Sequence, residues 1–199
     1  MIKYRFLIIA LLSIPFPMFA QEQESEAITV ANDTWGREFF KFPLRFASNI
    51  DFQGMEEALF PKSWGNIESH ELWSYAFAWK IQADKPLSET DMETNLQYYF
   101  DGLLTISLDR TDFTDLQKTN AIFVQKETSS EDLFYTGKIK TYDTRITKKP
   151  MTLHVRAEQH YCEQAKETII LFKFSPKGFD HKIWSQLAEV TLRHDICDE

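Results

Sequence analysis

The sequence predicts a single α+β domain, with a mainly antiparallel β-sheet of about six to seven strands and two main helices. Three observations predict this fold. An aromatic run at residues 72–81 is typical of a strand that is buried on both faces. Two segments, 88–106 and 179–192, keep the spacing of amphipathic helices. Between them, four strand-like runs are joined by short links, which favours an antiparallel meander.

The core is expected to form around residues 72–81. Large apolar side chains occupy every second position of this run: Trp73, Tyr75, Phe77, Trp79 and Ile81. The positions between them are mostly small, and include Ala76 and Ala78. Alternate side chains of a strand point to opposite faces, and both sets are largely apolar, so we expect a packed layer on each face. The alternative is an exposed aromatic platform for sugars or other flat ligands.

The other elements are predicted in chain order. Residues 38–46 alternate as a strand, which Pro43 places at a sheet edge or bulge because proline has no N–H to donate. Residues 55–60 fit a short strand or a helical turn. Ser88, with Asp91 three positions later, indicates the N-cap of the first helix. The later strands are predicted at 120–126, 133–142, 151–162 and 168–174.

The helices are expected on opposite sides of the sheet if the aromatic strand is covered on both faces. This arrangement is a three-layer α/β/α sandwich, and a cone-like sheet with both helices on one face is the alternative. Gly102 either weakens the last turn of the first helix or lets that turn lie close to the sheet. The order of elements is similar to that of PsbP-like proteins, which implies a common topology and no function.

The first 20 residues have the pattern of an export signal. Lys3 and Arg5 form a basic start, an apolar run follows, and Ala20 suits cleavage before Gln21. The apolar segment 6–20 is shorter than the roughly 20 residues that a membrane span requires. An uncleaved anchor is the alternative, because the bulky Met18 occupies a position where a small residue is preferred.

The predicted organisation is therefore a signal peptide at 1–20, a flexible acidic leader at 21–33 and one α+β domain at 34–199. We expect an exported protein that is periplasmic or secreted, with no stable membrane span after cleavage. The full chain has a formal charge of −8, and loss of the signal leaves 20 basic and 30 acidic side chains, a charge of −10. An acidic surface repels phosphate backbones, which argues against nucleic acid as a partner.

Several short runs resemble those of an uncharacterised family of small exported bacterial proteins. They are Trp35-Gly36-Arg37-Glu38 followed by Phe42-Pro43, Trp73-Ser74, Tyr99-Phe100-Asp101-Gly102-Leu103 and Glu158-Gln159-His160-Tyr161-Cys162. The resemblance covers most of the chain after the leader. That family has no established activity, so the resemblance assigns no functional residue.

The strand predicted at 151–162 carries the most reactive side chains. Its even positions are His154, Arg156, Glu158, His160 and Cys162, spaced about 6.6 Å apart on one face. Such a row suits acid–base catalysis, with His154, Glu158 and His160 as the candidate catalytic residues. The interpretation that the sequence favours is a solvent-facing sheet surface on which Arg156 and Glu158 pair, because the row lies opposite an apolar stripe.

The two cysteines, Cys162 and Cys197, have three competing interpretations: a disulfide, metal ligands or free thiols. In an exported chain an even number of cysteines indicates a disulfide, which would stabilise the fold by about 2–4 kcal/mol. Together with His160 and His194 they are instead a candidate zinc or copper site. Oxidised sulfurs do not supply thiolate ligands, so we expect the disulfide, no metal and no cofactor.

Recognised catalytic motifs are absent from the sequence. It contains no G-x-S-x-G or H-E-x-x-H motif, and its isolated glycines form no phosphate-binding loop. The adjacent Glu56 and Glu57 point to opposite faces of any strand, and one of them is expected to face water. The candidate ligand-binding residues are Arg156 and Trp64, since loop aromatics are effective anchors. For Trp64 the sequence favours an indole that folds back on the core.

These features favour a non-enzymatic envelope module that binds a protein or a small ligand. The alternative is a hydrolase or metal-dependent enzyme that uses His154, Glu158 and His160. A purely structural envelope component also fits the sequence.

Native mass spectrometry of the protein exported by its host tests the export and cysteine predictions together. We expect a mass that begins at Gln21, is about two hydrogens lighter than the reduced chain, and includes no metal. A mass increased by one zinc or copper, with both thiols reduced, would contradict the disulfide and make His160 and His194 the first residues to mutate.

Overall fold

The computed structural model describes residues 27–107, 118–130 and 132–198. The predicted signal peptide and residues 21–26 of the predicted leader lie outside the described residues. The strands are β1 (Thr29–Val30), β2 (Gly36–Lys41), β3 (Gly54–Phe60), β4 (Tyr75–Gln82), β5 (Asn120–Lys126), β6 (Leu133–Asp143), β7 (Lys149–Cys162), β8 (Glu167–Ser175) and β9 (Thr191–Leu192). The helices are α1 (Glu89–Ser107) and α2 (Ile183–Ala188).

Seven of the strands form one antiparallel sheet in the order β2-β3-β4-β8-β7-β6-β5, and β1 pairs with β9 in a second, two-stranded sheet. The predicted α+β fold with a mainly antiparallel sheet is thereby confirmed. The meander β5-β6-β7-β8 follows from the short links between these strands. Residues 55–60, which fitted a strand or a helical turn, belong to β3.

The face of the large sheet that contacts α1, here called the α1 face, contains the aromatic core. Tyr75, Phe77 and Trp79 of β4 point to this side and are 4% exposed or less. Phe77 stacks on Tyr99 of α1 with ring centroids 5.0 Å apart, and Tyr75 stacks on Phe174 of β8 at 4.9 Å. These contacts bring β4, β8 and α1 into one packing unit.

The opposite face, here called the α2 face, is covered over β4 and β8 by α2. Ala76 and Ala78 are fully buried there, in the same apolar cluster as Trp184 and Leu187 of α2. Their small side chains allow the helix to approach the sheet closely. The prediction that the aromatic strand is covered on both faces is confirmed.

Helix α1 begins as the sequence predicts. The Ser88 hydroxyl accepts a hydrogen bond from the backbone N–H of Asp91 at 3.2 Å, and the Asp91 carboxylate accepts one from the Ser88 N–H at 3.0 Å. This reciprocal pair satisfies donors that the first helical turn leaves free.

The structure departs from the predicted bounds of two strands. The strand expected at 38–46 ends at Lys41, before Pro43, and the strand expected from residue 72 begins only at Tyr75. Trp73 has a φ angle of 52°, outside the β region, although its side chain still packs in the α1-face core.

The prediction of a long helix at 179–192 is wrong. Only Ile183–Ala188 is helical, and Thr191 and Leu192 instead pair with Val30 and Thr29. The same pairing orders residues of the predicted leader, since Ile28 next to it is 1% exposed. Strand pairing between distant parts of the chain overrides the apolar periodicity that suggested a continuous helix.

No helix among the described residues is long and apolar enough to cross a membrane.

Gly102 permits a close contact between α1 and the loop after β2. A Cβ atom placed there would lie 2.8 Å from the carbonyl carbon of Phe46 and closer still to the oxygen. We expect Gly102→Ala to lower the free energy of unfolding by about 1–3 kcal/mol, because this overlap outweighs the gain in helix propensity. Urea denaturation measures the change. The matched control is Thr94→Ala on the exposed side of α1, and equal stability of the two variants would contradict the close contact.

Candidate functional site

An apolar cavity of about 300 Å³ lies on the α1 face between α1, β3, β4 and the loop 61–73. We call it the aromatic cavity. Its walls include Phe60, Trp64, Trp73, Tyr75 and Tyr99. The charged residues Glu38 and Arg145 also line it. An apolar chamber with a few polar groups is the usual form of a small-molecule site.

Trp64 forms part of the wall of this cavity. Its side chain is half-buried, with its ring 4.9 Å from that of Phe60 and 5.9 Å from that of Trp73. The backbone N–H of Trp73 donates to the Trp64 carbonyl at 2.9 Å, and the Ser63 N–H donates to the Glu71 carboxylate at 2.9 Å. The indole therefore folds back towards the core and remains available as one side of the cavity.

A buried carboxylate adjoins this wall. Tyr99, whose ring lines the cavity, donates its hydroxyl to Glu56 at 2.9 Å, and the indole N–H of Trp79 donates to the same carboxyl at 2.7 Å. Glu56 is fully buried, and this desolvation raises its pKa to about 7 although the two hydrogen bonds oppose the shift.

Glu57 is also fully buried, on the opposite side of β3. Its carboxylate accepts hydrogen bonds from the backbone N–H groups of Ile28 and Thr29 and pairs with Arg37 at 2.6 Å. The expectation that Glu56 or Glu57 faces water is therefore wrong. Their apolar successors, Ala58 and Leu59, continue the alternation and could have signalled burial on both faces.

The row on β7 lies together on the α2 face, as predicted, but it is not a solvent-facing surface. All five side chains are half-buried or buried, and residues that follow β8 cover part of the row. The Arg156 guanidinium lies 5.2 Å from the ring of Phe179 and 5.0 Å from that of Trp184. Within the described part of the chain no ion pair joins Arg156 to Glu158, so the expected pairing is absent.

The three candidate catalytic residues do not converge. The His154 ring contacts Phe179 at 5.3 Å, and its Nδ1 is buried without a hydrogen-bond partner. His160 lies roughly 20 Å further along the strand, where its ring donates to the Asp132 carboxylate. Glu158 and His160 line a cavity of about 230 Å³ with Asp132 and His194, and His154 does not line it.

Cys162 and Cys197 form a disulfide, with their Cα atoms 5.4 Å apart. This bond confirms the predicted pairing and ties the C-terminal segment to the end of β7. A ring nitrogen of His160 and the two sulfurs lie within 4.8 Å of one another, and His194 lines the cavity beside them. Sulfurs bonded to each other supply no thiolate, so the alternative metal set lacks two ligands in this state.

Arg156, the other candidate binding residue, lines a second cleft, of about 340 Å³, on the α2 face. Sequence reasoning did not place Lys173 and Trp184 beside it. The signal for Lys173 was present, because a single lysine interrupts the apolar run of β8. The position of Trp184 depends on where α2 packs, which the sequence does not reveal.

Comparisons of this chain with protein-family models, with curated proteins and with solved structures found no match. The candidate sites therefore rest on the geometry of the chain itself.

Glu56 predicts a specific dependence of stability on pH. Its pKa is about 7 in the folded state against a usual value of 4.5, so the folded state binds the proton more tightly. The contribution of Glu56 is most favourable below pH 4.5 and decreases as the pH rises to 7, by about 1.4 kcal/mol per pH unit and roughly 3 kcal/mol in all. Glu56→Gln should remove this decrease.

Chemical denaturation of both proteins between pH 4.5 and 8 measures the difference. The surface variant Glu68→Gln is the matched control and should follow the wild type. If the free energy of unfolding of Glu56→Gln changes with pH in parallel with that of the wild type, the Glu56 carboxyl does not titrate in this range.

Proposed function

We propose that this protein is an exported, non-enzymatic module that binds a small apolar or aromatic ligand in the aromatic cavity. The observation that carries the proposal is the cavity itself: a chamber of about 300 Å³ walled by aromatic side chains and held by a hydrogen-bonded loop. Ligand pockets of proteins typically have volumes of about 300–1,000 Å³ and predominantly apolar walls.

The polar residues of the cavity give it the means to orient a ligand. Glu38 and Arg145 provide one negative and one positive charge. A ligand with an apolar body and one polar end fits this distribution. The surrounding rings are large and stiff, so little conformational entropy is lost when they contact a ligand.

The separation of the candidate catalytic residues supports a binding role over a hydrolytic one. An acid–base mechanism requires its groups within hydrogen-bonding reach of one substrate, and His154 and His160 are roughly 20 Å apart. Glu158 and His160 share a cavity, but the disulfide withholds the sulfur ligands from a metal beside them.

Two further features support the proposed compartment and the rigidity of the cavity. The predicted signal peptide and the Cys162–Cys197 disulfide both favour an oxidising compartment, periplasmic or extracellular. The packing of α1 and α2 against different faces of the sheet supports a three-layer α/β/α sandwich, which would hold the cavity walls in a fixed arrangement.

A neutral fluorescent probe, N-phenyl-1-naphthylamine, tests the proposal by titration of the oxidised protein. We expect saturable binding by the wild type and binding weaker by about tenfold or more in Trp64→Ala, because truncation removes one wall of the cavity. Tyr98→Ala, which removes an exposed aromatic ring of α1 outside the cavity, is the matched control and should bind as the wild type does.

Circular dichroism verifies that each variant is folded. No binding of the probe by the wild type, or equal binding by folded Trp64→Ala, would contradict the proposal.

A further inference from the structure

The α2 face carries a concentration of positive charge that contrasts with the chain as a whole. Five basic side chains lie on this face of β5–β8: Lys126, Lys138, Lys140, Arg156 and Lys173. The formal charge of the whole sequence is −8. Glu158 lies among these cations, while Glu167, at the far end of β8, pairs with Lys80 at 3.6 Å. Although the chain is acidic overall, the strand register brings these basic side chains together on one surface.

Three of these cations converge on the cleft of about 340 Å³, which we call the basic cleft. Arg156 and Lys173 face each other across β7 and β8, and Lys126 projects from β5. Phe134 and Trp184 provide apolar walls, and Glu158 is the one acid among the described residues that line the cleft. The cleft therefore combines a net positive charge with aromatic surface.

Arg156 is held in this cleft without a polar partner. Its guanidinium is fixed over the rings of Phe179 and Trp184, and its Nε is buried with no hydrogen-bond partner. No hydrogen bond or ion pair joins its side chain to any residue that the structure describes. A guanidinium has five N–H donors and no acceptor, and a buried donor without a partner is costly. An acceptor from outside the chain would remove that cost.

Lys173 is in a similar position. Burial lowers its pKa, the charge of Glu158 opposes this shift, and the charge of Arg156 adds to it. No ion pair within 4.0 Å involves Lys173 among the described residues. Two neighbouring cations that are both partly removed from water favour a bound negative charge between them.

We propose that the basic cleft binds the oxyanion group, a carboxylate or a phosphate, of a small organic anion. Arg156 would grip the oxyanion with two parallel N–H groups, Lys173 and Lys126 would add charge, and the apolar part of the ligand would lie on Trp184 and Phe134. This site lies on the opposite face of the sheet from the aromatic cavity and does not depend on it.

The five tryptophan indole groups allow both sites to be observed in one ¹H–¹⁵N spectrum of the labelled protein. Trp184 lines the basic cleft, whereas Trp64 and Trp73 line the aromatic cavity. The probes are hexanoate, hexyl phosphate and the neutral hexanamide. We expect at least one anion to shift the Trp184 signal with saturation while hexanamide leaves it unchanged.

If the proposal is correct, two charge variants change the affinity for the anion in opposite directions. Arg156→Gln should weaken binding of the anion about tenfold or more, since it removes a charge-assisted hydrogen-bond donor. Glu158→Gln should strengthen binding by about two- to fivefold, because it removes a negative charge that lies beside these cations. Loss of folding would weaken binding by both variants. Changes of affinity in opposite directions therefore separate an effect on binding from an effect on folding.

Lys126→Gln provides a second weakening variant at an exposed position, in case the packing of Arg156 on Phe179 and Trp184 is needed for folding. Its matched control is Lys149→Gln, on β7 roughly 23 Å from Arg156, which should bind as the wild type does. The anion that shifts the Trp184 signal identifies the class of ligand. Hexanoate indicates a carboxylate, and hexyl phosphate indicates a phosphate.

The proposal is overturned if neither anion shifts Trp184, or if Arg156→Gln and Lys126→Gln both bind the active anion as the wild type does. Its failure is distinct from failure of the proposed function, because Trp64 and Trp73 report the aromatic cavity independently.

Discussion

Burial of β4 on both faces governs how the other elements pack. On one face its aromatic side chains pack against α1 and β8, and on the other Ala76 and Ala78 admit α2. Large side chains on the second face would hold α2 further from the sheet. The alternation of large and small residues therefore determines how closely each helix approaches, and with it the shape of each surface.

This double coverage explains why two adjacent glutamates are buried. Residues of β3 alternate between the same two faces as their β4 neighbours, so Glu56 enters the α1-face core and Glu57 the α2-face core. Each finds partners that suit its surroundings. Hydroxyl and indole donors hold Glu56, which burial shifts towards the neutral form, while Glu57 pairs with Arg37 and accepts hydrogen bonds from two backbone N–H groups.

The two faces consequently offer different chemistry. The α1 face carries the aromatic cavity, where dispersion and burial of apolar area would drive binding. The α2 face is covered by α2 over β4 and β8, and beside this helix the basic side chains of β5–β8 border a cleft. A seven-stranded sheet separates these sites, so each can be altered without direct contact with the other.

Elements whose signals are local could be predicted from the sequence alone. The cap at Ser88, the alternation of β4 and the meander of β5–β8 depend on neighbours in the chain, and all three were predicted. The disulfide was predicted from the number of cysteines and the export signal. The strand row on β7 was also assigned to one face, because the period of a strand determines it.

The segments that cover each face, and the side chains that meet there, depend on long-range packing. The periodicity of residues 179–192 suggested one helix, yet pairing of β9 with β1, from residues more than 160 positions earlier, shortened it to Ile183–Ala188. The same long-range packing placed Trp184 and Phe179 over Arg156, buried Glu56 and Glu57, and separated His154 from His160. The physical reason is that burial depends on contacts between distant segments, whereas the signals that can be read in the sequence extend over only a few neighbouring residues.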